Sequence, residues 1–365
     1  MARTKSKPHV FTPLPNQCID FFNAEKQFIL LALFLFLVCF LTYPMPNIAR
    51  WIGFLVAGYA TVANDSIQTI GTFIASNRNK PWWLLWVFIG GIFLITVTYS
   101  FIAYSGDVSY GRLASKGFSE TPASFSFLQV AAPIFLLILT RLKMPVSTTF
   151  LILTAFSTSA SSIGKVLMKS LTGYGLAFFI ALITWLGVST LIERYATGTP
   201  HPLWRVAQWL TTGVLWSVWL MQDAANIAVY LPRQLNLVSF LCFAIPITLG
   251  LGFMLYKGGA KIQEVVEEKS RVQDVRSATL IDFIYAIILF YFKIHSKIPM
   301  STTWVFLGLL AGREIGMSLR KTSNGSFSTA IAMSSKDVFK AVLGLVISLL
   351  IALGCNPAMR AALFS

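Results

Sequence analysis

Two aspartates stand alone in long apolar stretches. Asp65 is the only charge between Trp51 and Asn77, and Asp223 is the only charge between Val206 and Pro232. Amides accompany both: Asn64 and Gln68 lie beside Asp65, Gln222 and Asn226 beside Asp223. A carboxylate at mid-membrane costs roughly 2.5–3.5 kcal/mol on insertion scales unless it is paired or hydrated. Carboxylate and amide oxygens together are the hard ligands that suit a cation such as Na⁺. Asn64, Asp65, Gln68, Asp223 and Asn226 are therefore candidate cation ligands. The structural alternative is an aspartate that caps a broken helix or is held protonated by its neighbours.

A second pair of motifs is Pro145-Val146-Ser147-Thr148-Thr149 and Pro299-Met300-Ser301-Thr302-Thr303. Proline is tolerated at a helix start, and Ser or Thr beside it satisfies free backbone N–H groups. A helix that starts inside the membrane presents those N–H groups and its positive dipole end to an anion. The hydroxyls of Ser147, Thr148, Thr149, Ser301, Thr302 and Thr303 add donors for oxyanion oxygens, and their oxygens can also ligate a cation. Ordinary helix capping is the alternative. Arg233, seven residues beyond Asn226, points at the site or anchors to headgroups. Asp282, inside the apolar segment 277–292, is open as a third ligand, a proton carrier or a helix-end cap. No nucleophile–base arrangement, phosphate-cradling loop or dinucleotide fingerprint occurs, so no enzyme is expected. The four cysteines and three histidines are scattered, which indicates neither a disulfide framework nor a metal cluster, and no cofactor is expected.

The elements that must hold these residues are membrane segments. Of 365 residues, 56% are hydrophobic and 12% charged, with mean hydropathy +0.70. Soluble domains carry about 25% charged residues. Charge-free or nearly charge-free windows cover 28–49, 51–77, 81–106, 121–140, 144–164, 170–192, 206–232, 234–256, 277–292, 298–312 and 341–359. The window 298–312 is short and Pro-led, as in a half-helix or re-entrant piece. The chain is expected to be an all-α polytopic protein of about 10–12 membrane segments, multi-pass in the cell (plasma) membrane. The basic, Pro-containing residues 1–15 are not expected to be a signal peptide. Lys and Arg outnumber Asp and Glu by 29 to 14 and flank the apolar runs. That placement fits positive-inside anchoring and lipid headgroups rather than nucleic acid.

Order and spacing point to an internal repeat. The stretch 62–68 aligns with 220–226, and 145–149 with 299–303; the motifs are 80 residues apart in the first half (65 to 145) and 76 in the second (223 to 299). The expected organisation is a basic segment 1–27, a first repeat 28–169, a second repeat 170–320 with a polar loop at about 257–276, and a C-terminal loop and helix 321–365. If the Pro-led segments each cross once, five segments per half invert the second copy, as in many secondary transporters. If they only re-enter, the parity argument fails.

These residues resemble the inorganic phosphate transporter family of cation-coupled symporters. Each half of that family carries a signature like Gly-Ala-Asn-Asp-Val-Ala-Asn followed by Pro-x-Ser-Thr-Thr-His, and the resemblance runs from about residue 51 to 316. It implies an inverted-repeat fold with broken helices. It places Asn64, Asp65, Gln222, Asp223 and Asn226 at a central site for cation and anion, with the Ser-Thr-Thr residues contacting the anion or ions. The cargo implied is phosphate driven by Na⁺, with sulfate coupled to Na⁺ or H⁺ as the alternative and a homodimer as a possible assembly. The sequence departs from the pattern at Gln68 and Gln222, where the signatures have Asn, and at Phe150 and Trp304, where the histidines stand.

Charge alone favours coupling. Two ionised aspartates and a divalent oxyanion place about four negative charges near one site, and each pair at ~4–8 Å costs several kcal/mol at an effective dielectric of about 20. Bound cations or protons must offset that. An anion channel is the competing class, but duplicated buried aspartates would repel its permeant ion.

Overall fold

A computed structural model describes residues 14–115, 118, 120–157, 160–195, 198–258, 274–295, 300–320, 326–357 and 360–361. Among them every regular element is helical. Residues 1–13 of the basic segment 1–27, Pro299, the core of the polar loop (259–273) and 321–325 lie outside the described residues.

The chain opens with α1 (Leu14–Thr42) and α2 (Pro46–Thr61), where Pro46 takes the first helical position that its missing N–H suits. A π-turn, Val62–Ser66, joins α2 to α3 (Ile67–Ser76) without a break. Then come α4 (Trp82–Ala103), the one-turn α5 (Arg112–Ser115) and α6 (Phe127–Arg141), which opens on a reciprocal capping box between Ser126 and Gln129. Next are α7 (Thr148–Leu151), a 3₁₀ turn (Leu153–Phe156), α8 (Ala160–Tyr195), α9 (Leu203–Ala228) and α10 (Leu237–Tyr256). The series closes with α11 (Val275–His295), α12 (Thr302–Leu319) and α13 (Phe327–Cys355).

Six of these helices are long and apolar enough to cross a membrane, on 25–42, 82–103, 163–187, 237–256, 275–292 and 327–355. Their outer faces are apolar rather than charged: Ile95, Ile102, Ile183 and Val238 are 72%, 73%, 69% and 70% exposed. Water would not tolerate such a surface and lipid requires it. Trp82, at the start of α4, meets Tyr256, at the end of α10, with ring centroids 5.4 Å apart, as in an interfacial aromatic belt. The protein is an integral, multi-pass membrane protein.

The expected window 144–164 is not one helix. It holds α7, the 3₁₀ turn and the first residues of α8, and α8 then runs through Lys165 and Lys169 to absorb the window 170–192. The expected repeat boundary at 169/170 therefore falls within a continuous helix. The second Ser-Thr-Thr does open a long helix, α12.

Packing explains how so polar an interior is held. α4 and α10 run antiparallel, joined from Trp82–Tyr256 through the Trp86 indole on Thr248 O (2.9 Å) to stacked Phe101–Phe240. α8 and α12 run parallel in close contact along Gly308, Gly312 and Gly316. A Cβ added at Gly312 would lie 2.1 Å from Phe178 O, so only glycine permits this approach. Small residues at such a spacing are how membrane helices bring backbones together.

Candidate functional site

The Asp65 side of the site depends on the π-turn. One extra residue in the ladder disturbs the 3.6-residue rotation, a device frequent at functional sites. The adjacent residues Asn64 and Asp65 are both inside, 0% and 2% exposed. Asn64 Nδ2 donates to Asp65 Oδ1 (2.5 Å) and to Val146 O (2.7 Å), while its own Oδ1 accepts from Gln68 Nε2 (3.0 Å).

Asp223 arrives from α9, three residues before Asn226. Asn226 Nδ2 lies 2.5 Å from Asp223 Oδ1, 2.9 Å from Thr148 Oγ1 and 3.1 Å from Thr149 Oγ1. Thr148 in turn donates to Asp65 Oδ2 at 2.6 Å. A continuous hydrogen-bonded chain thus joins the two aspartates: Asp65–Thr148–Asn226–Asp223.

The two Ser-Thr-Thr motifs meet here in matching roles. Ser147 accepts from Phe150 N (3.4 Å) and Ser301 from Trp304 N (3.3 Å), so both serines cap helix starts. Thr149 donates to Met300 O (3.2 Å) and Thr303 to Val146 O (3.4 Å), each motif bonding the other's second residue. Thr302 accepts from Trp219 Nε1 (3.3 Å) and stands beside Asp223, without a hydrogen bond of normal geometry to Asp223 Oδ2. Ser170 of α8 accepts from Ser301 N (2.8 Å), closing a further orphan donor. Because α7 is a single turn, it carries no useful dipole. Its contribution is the three side chains.

Asn64, Asp65, Gln68, Ser147, Thr148, Thr149, Gln222, Asp223, Asn226, Ser301, Thr302 and Thr303 are all brought inside, none more than 5% exposed. Gln222 turns partly aside, donating to Leu289 O (2.9 Å). No family model, curated protein or solved structure matches this chain. The chemistry of the site rests on its own geometry.

That geometry leaves four acceptors without donors. Gln68 Oε1, Gln222 Oε1, Asp223 Oδ2 and Asn226 Oδ1 are buried and have no hydrogen-bond partner. An unsatisfied buried polar atom costs about 1–3 kcal/mol. Beside Asp223 a cavity of about 20 Å³ is lined by Thr61, Ser66 and Asp223 within a wall of apolar residues that includes Phe93 and Trp216. That is room for one water-sized species. Thr61 Oγ1 is likewise buried and unpartnered.

Arg233 goes elsewhere. Its guanidinium donates to Phe118 O (2.7 Å), Glu120 O (2.6 Å) and Leu231 O (2.7 Å), tying the 118–120 loop to the end of α9. It touches none of the twelve site residues through these bonds, and its role here is a clamp. Two cations the sequence reading passed over lie deeper. Arg112 is 3% exposed and near enough to Asp223 for their charges to interact; burial pushes its guanidinium down to about 10, so it remains charged at neutral pH. Lys169 is 9% exposed, with Nζ 5.7 Å from the Phe292 ring centroid, and its charge interacts with that of Arg112. Arg112 is turned inward by its loop. Asp107 accepts from Ser109 N (2.6 Å) and Gly111 N (3.0 Å), Ser100 holds Asp107 O (2.7 Å), and Leu235 N donates to Gly106 O (2.9 Å). Gly106, at φ 95°, sits where a Cβ would be 2.6 Å from Leu235 O. The sequence signal was available: an Asp-Val-Ser-Tyr-Gly turn immediately before an arginine.

Proposed function

We propose that this protein is a secondary active symporter that carries a small inorganic oxyanion together with a cation. The favoured pair is phosphate with Na⁺, followed by sulfate with Na⁺ or H⁺. The observation that carries this reading is the set of buried acceptor oxygens without donors (Gln68, Gln222, Asp223, Asn226) around two linked carboxylates. A bound cation satisfies such a set and offsets the two carboxylates as well, and an anion enters it favourably once that charge is in place. Thr148, Thr149, Thr302 and Thr303 supply hydroxyls for the oxyanion, and Arg112 supplies cationic balance on the Asp223 side.

The likeness to the inorganic phosphate transporters supports the same reading through the residues that carry it, Asp65, Asp223 and the two Ser-Thr-Thr motifs. Two inverted repeats rocking about the site would give alternating access. The antiparallel α4 and α10 support inversion, and the reciprocal bonds from Thr149 to Met300 and from Thr303 to Val146 support a two-fold relation between the halves. The plasma membrane is the proposed location, and a homodimer the proposed assembly.

Uptake of labelled phosphate and sulfate into proteoliposomes, with Na⁺ and pH gradients imposed separately, tests the proposal. Concentrative uptake that requires a cation gradient is the expected result. Downhill flux indifferent to both gradients would make the protein a channel instead.

A further inference from the structure

Asp282 lies outside the chain of bonds between Asp65 and Asp223, yet it touches the helices that carry both. It is 0% exposed, within α11. Thr72 of α3 donates to its Oδ1 at 2.7 Å, and Thr212 of α9 donates to its Oδ2. Thr72 is about two turns beyond Asp65 along the same continuous helix, and Thr212 about three turns before Asp223.

Among the described residues no ion pair to it is found. α3 carries no titratable side chain. Among the described side chains, α9 carries Arg205, about two turns before Thr212, and Asp223; α11 carries Arg276, with Tyr285 and Tyr291 also titratable; α12 carries Arg313 and Glu314, and α8 carries Lys165 and Lys169, with Tyr174 also titratable. Among the described residues, what acts on Asp282 is burial and the two threonine hydroxyls. A carboxylate in that setting is neutralised by an ion or a proton.

Two observations select the proton. Both carboxylate oxygens already lie at hydrogen-bond distance from hydroxyls, and this carboxyl and two hydroxyls are fewer oxygen ligands than a hard cation requires. Also, Asp282, Thr72 and Thr212 contribute none of the buried atoms that lack partners, in contrast to the oxygens around Asp223.

A polar file leads away from it. Ser76 donates to Thr72 O (2.8 Å), Gln208 donates to Ser76 Oγ, and Asn77 donates to Gln208 Oε1 (3.0 Å). Exposed Arg78 and Asn79 follow directly. We propose that Asp282 is a proton-binding site separate from the Asp65–Asp223 cluster, loaded from the Asn77 end of α3. When ionised it accepts from both threonines and clasps α3 to α9. When a proton from water binds one oxygen, that oxygen becomes a donor, and one hydroxyl must turn round or let go. Proton occupancy thereby sets how tightly the two site helices are held together. The part this plays in transport rests on the symporter reading; the proton site itself does not.

The test uses purified full-length protein and the infrared band of protonated carboxyls, followed across the physiological pH range. A titrating band is expected in wild type, retained in the Asp65→Asn/Asp223→Asn double variant and lost from that background when Asp282→Asn is added. Thr212→Val, which keeps the carboxyl and removes one partner, must shift the band's frequency. A band unchanged by adding Asp282→Asn, or unshifted in Thr212→Val, overturns the proposal, as does the absence of any titrating band. In proteoliposomes, an inward gradient of about one pH unit, a tenfold proton ratio, should stimulate wild-type uptake and leave Asp282→Asn unaffected. Uptake without an Asp282-dependent band defeats the proton site alone. A titrating band with no coupled uptake by wild type defeats the symporter reading and leaves the proton site standing.

Discussion

Thr148 donates a 2.6 Å hydrogen bond to the carboxylate of Asp65 across 83 residues of chain. The same hydroxyl accepts from Asn226 at 2.9 Å, so its proton is committed to Asp65. One threonine therefore orders both aspartates. Thr148→Val keeps the shape and removes the bond. A hydrogen bond to a charged group is worth about 1.5–3 kcal/mol, or roughly 10- to 100-fold in affinity. Cation affinity measured by calorimetry on folded protein should fall by that factor; an unchanged affinity would remove Thr148 from the site.

Asp223→Asn and Asp65→Asn should differ. Both oxygens of Asp65 already accept hydrogen bonds, from Asn64 and Thr148, whereas Asp223 Oδ2 has none. An amide at 223 places its NH₂ or its oxygen where a cation is wanted, and coupled uptake should be abolished. An amide at 65 opposes the hydroxyl proton of Thr148 and should lower both thermal stability and uptake. Melting temperature and Na⁺-dependent uptake, measured together, separate the two.

Arg233→Gln should act on stability. Its bonds to Phe118, Glu120 and Leu231 carbonyls hold a loop, and losing those to Phe118 and Leu231 leaves two part-buried carbonyls bare at about 1–3 kcal/mol each. Tm should drop while the anion KM of the surviving folded protein stays within about twofold, the scatter of such contributions. A selective rise in KM would return Arg233 to the anion site.

Arg112→Gln should do the reverse. A buried guanidinium whose charge reaches Asp223 is placed to balance an incoming oxyanion. Removing it should raise the anion KM by about tenfold or more, the equivalent of one lost charge-assisted bond. Uptake titrated against anion concentration reads this directly.

Gly312→Leu should break the α8–α12 seam. Even a Cβ would press on Phe178 O, and overpacking of a tight interface costs about 1–3 kcal/mol or more. Loss of a monodisperse peak and a lower Tm are expected. Gly175→Ala, a helical glycine with nothing within 4 Å of its added Cβ, should be silent by both measures.

The sequence by itself determined the solvent of each segment. Long apolar windows with few charges point to membrane helices, because lipid satisfies no backbone group. It also singled out Asp65 and Asp223, because a charge alone in such a window is conspicuous, and it placed the Ser-Thr-Thr starts. Composition does not report contacts, and there the structure decided. Phe150–Ser157 is as apolar as many a helix, yet it breaks after one turn because Asn356, from the far end of the chain, supplies the side-chain amide that satisfies Thr154 O and Ser157 O. Lys169 looked like a boundary and lies within α8, since a long side chain can lodge over a ring such as Phe292. Arg112 and Arg233 look alike in sequence, each in a gap between apolar windows. Packing over more than a hundred residues sends one guanidinium toward Asp223 and the other to backbone carbonyls, and no local pattern encodes which.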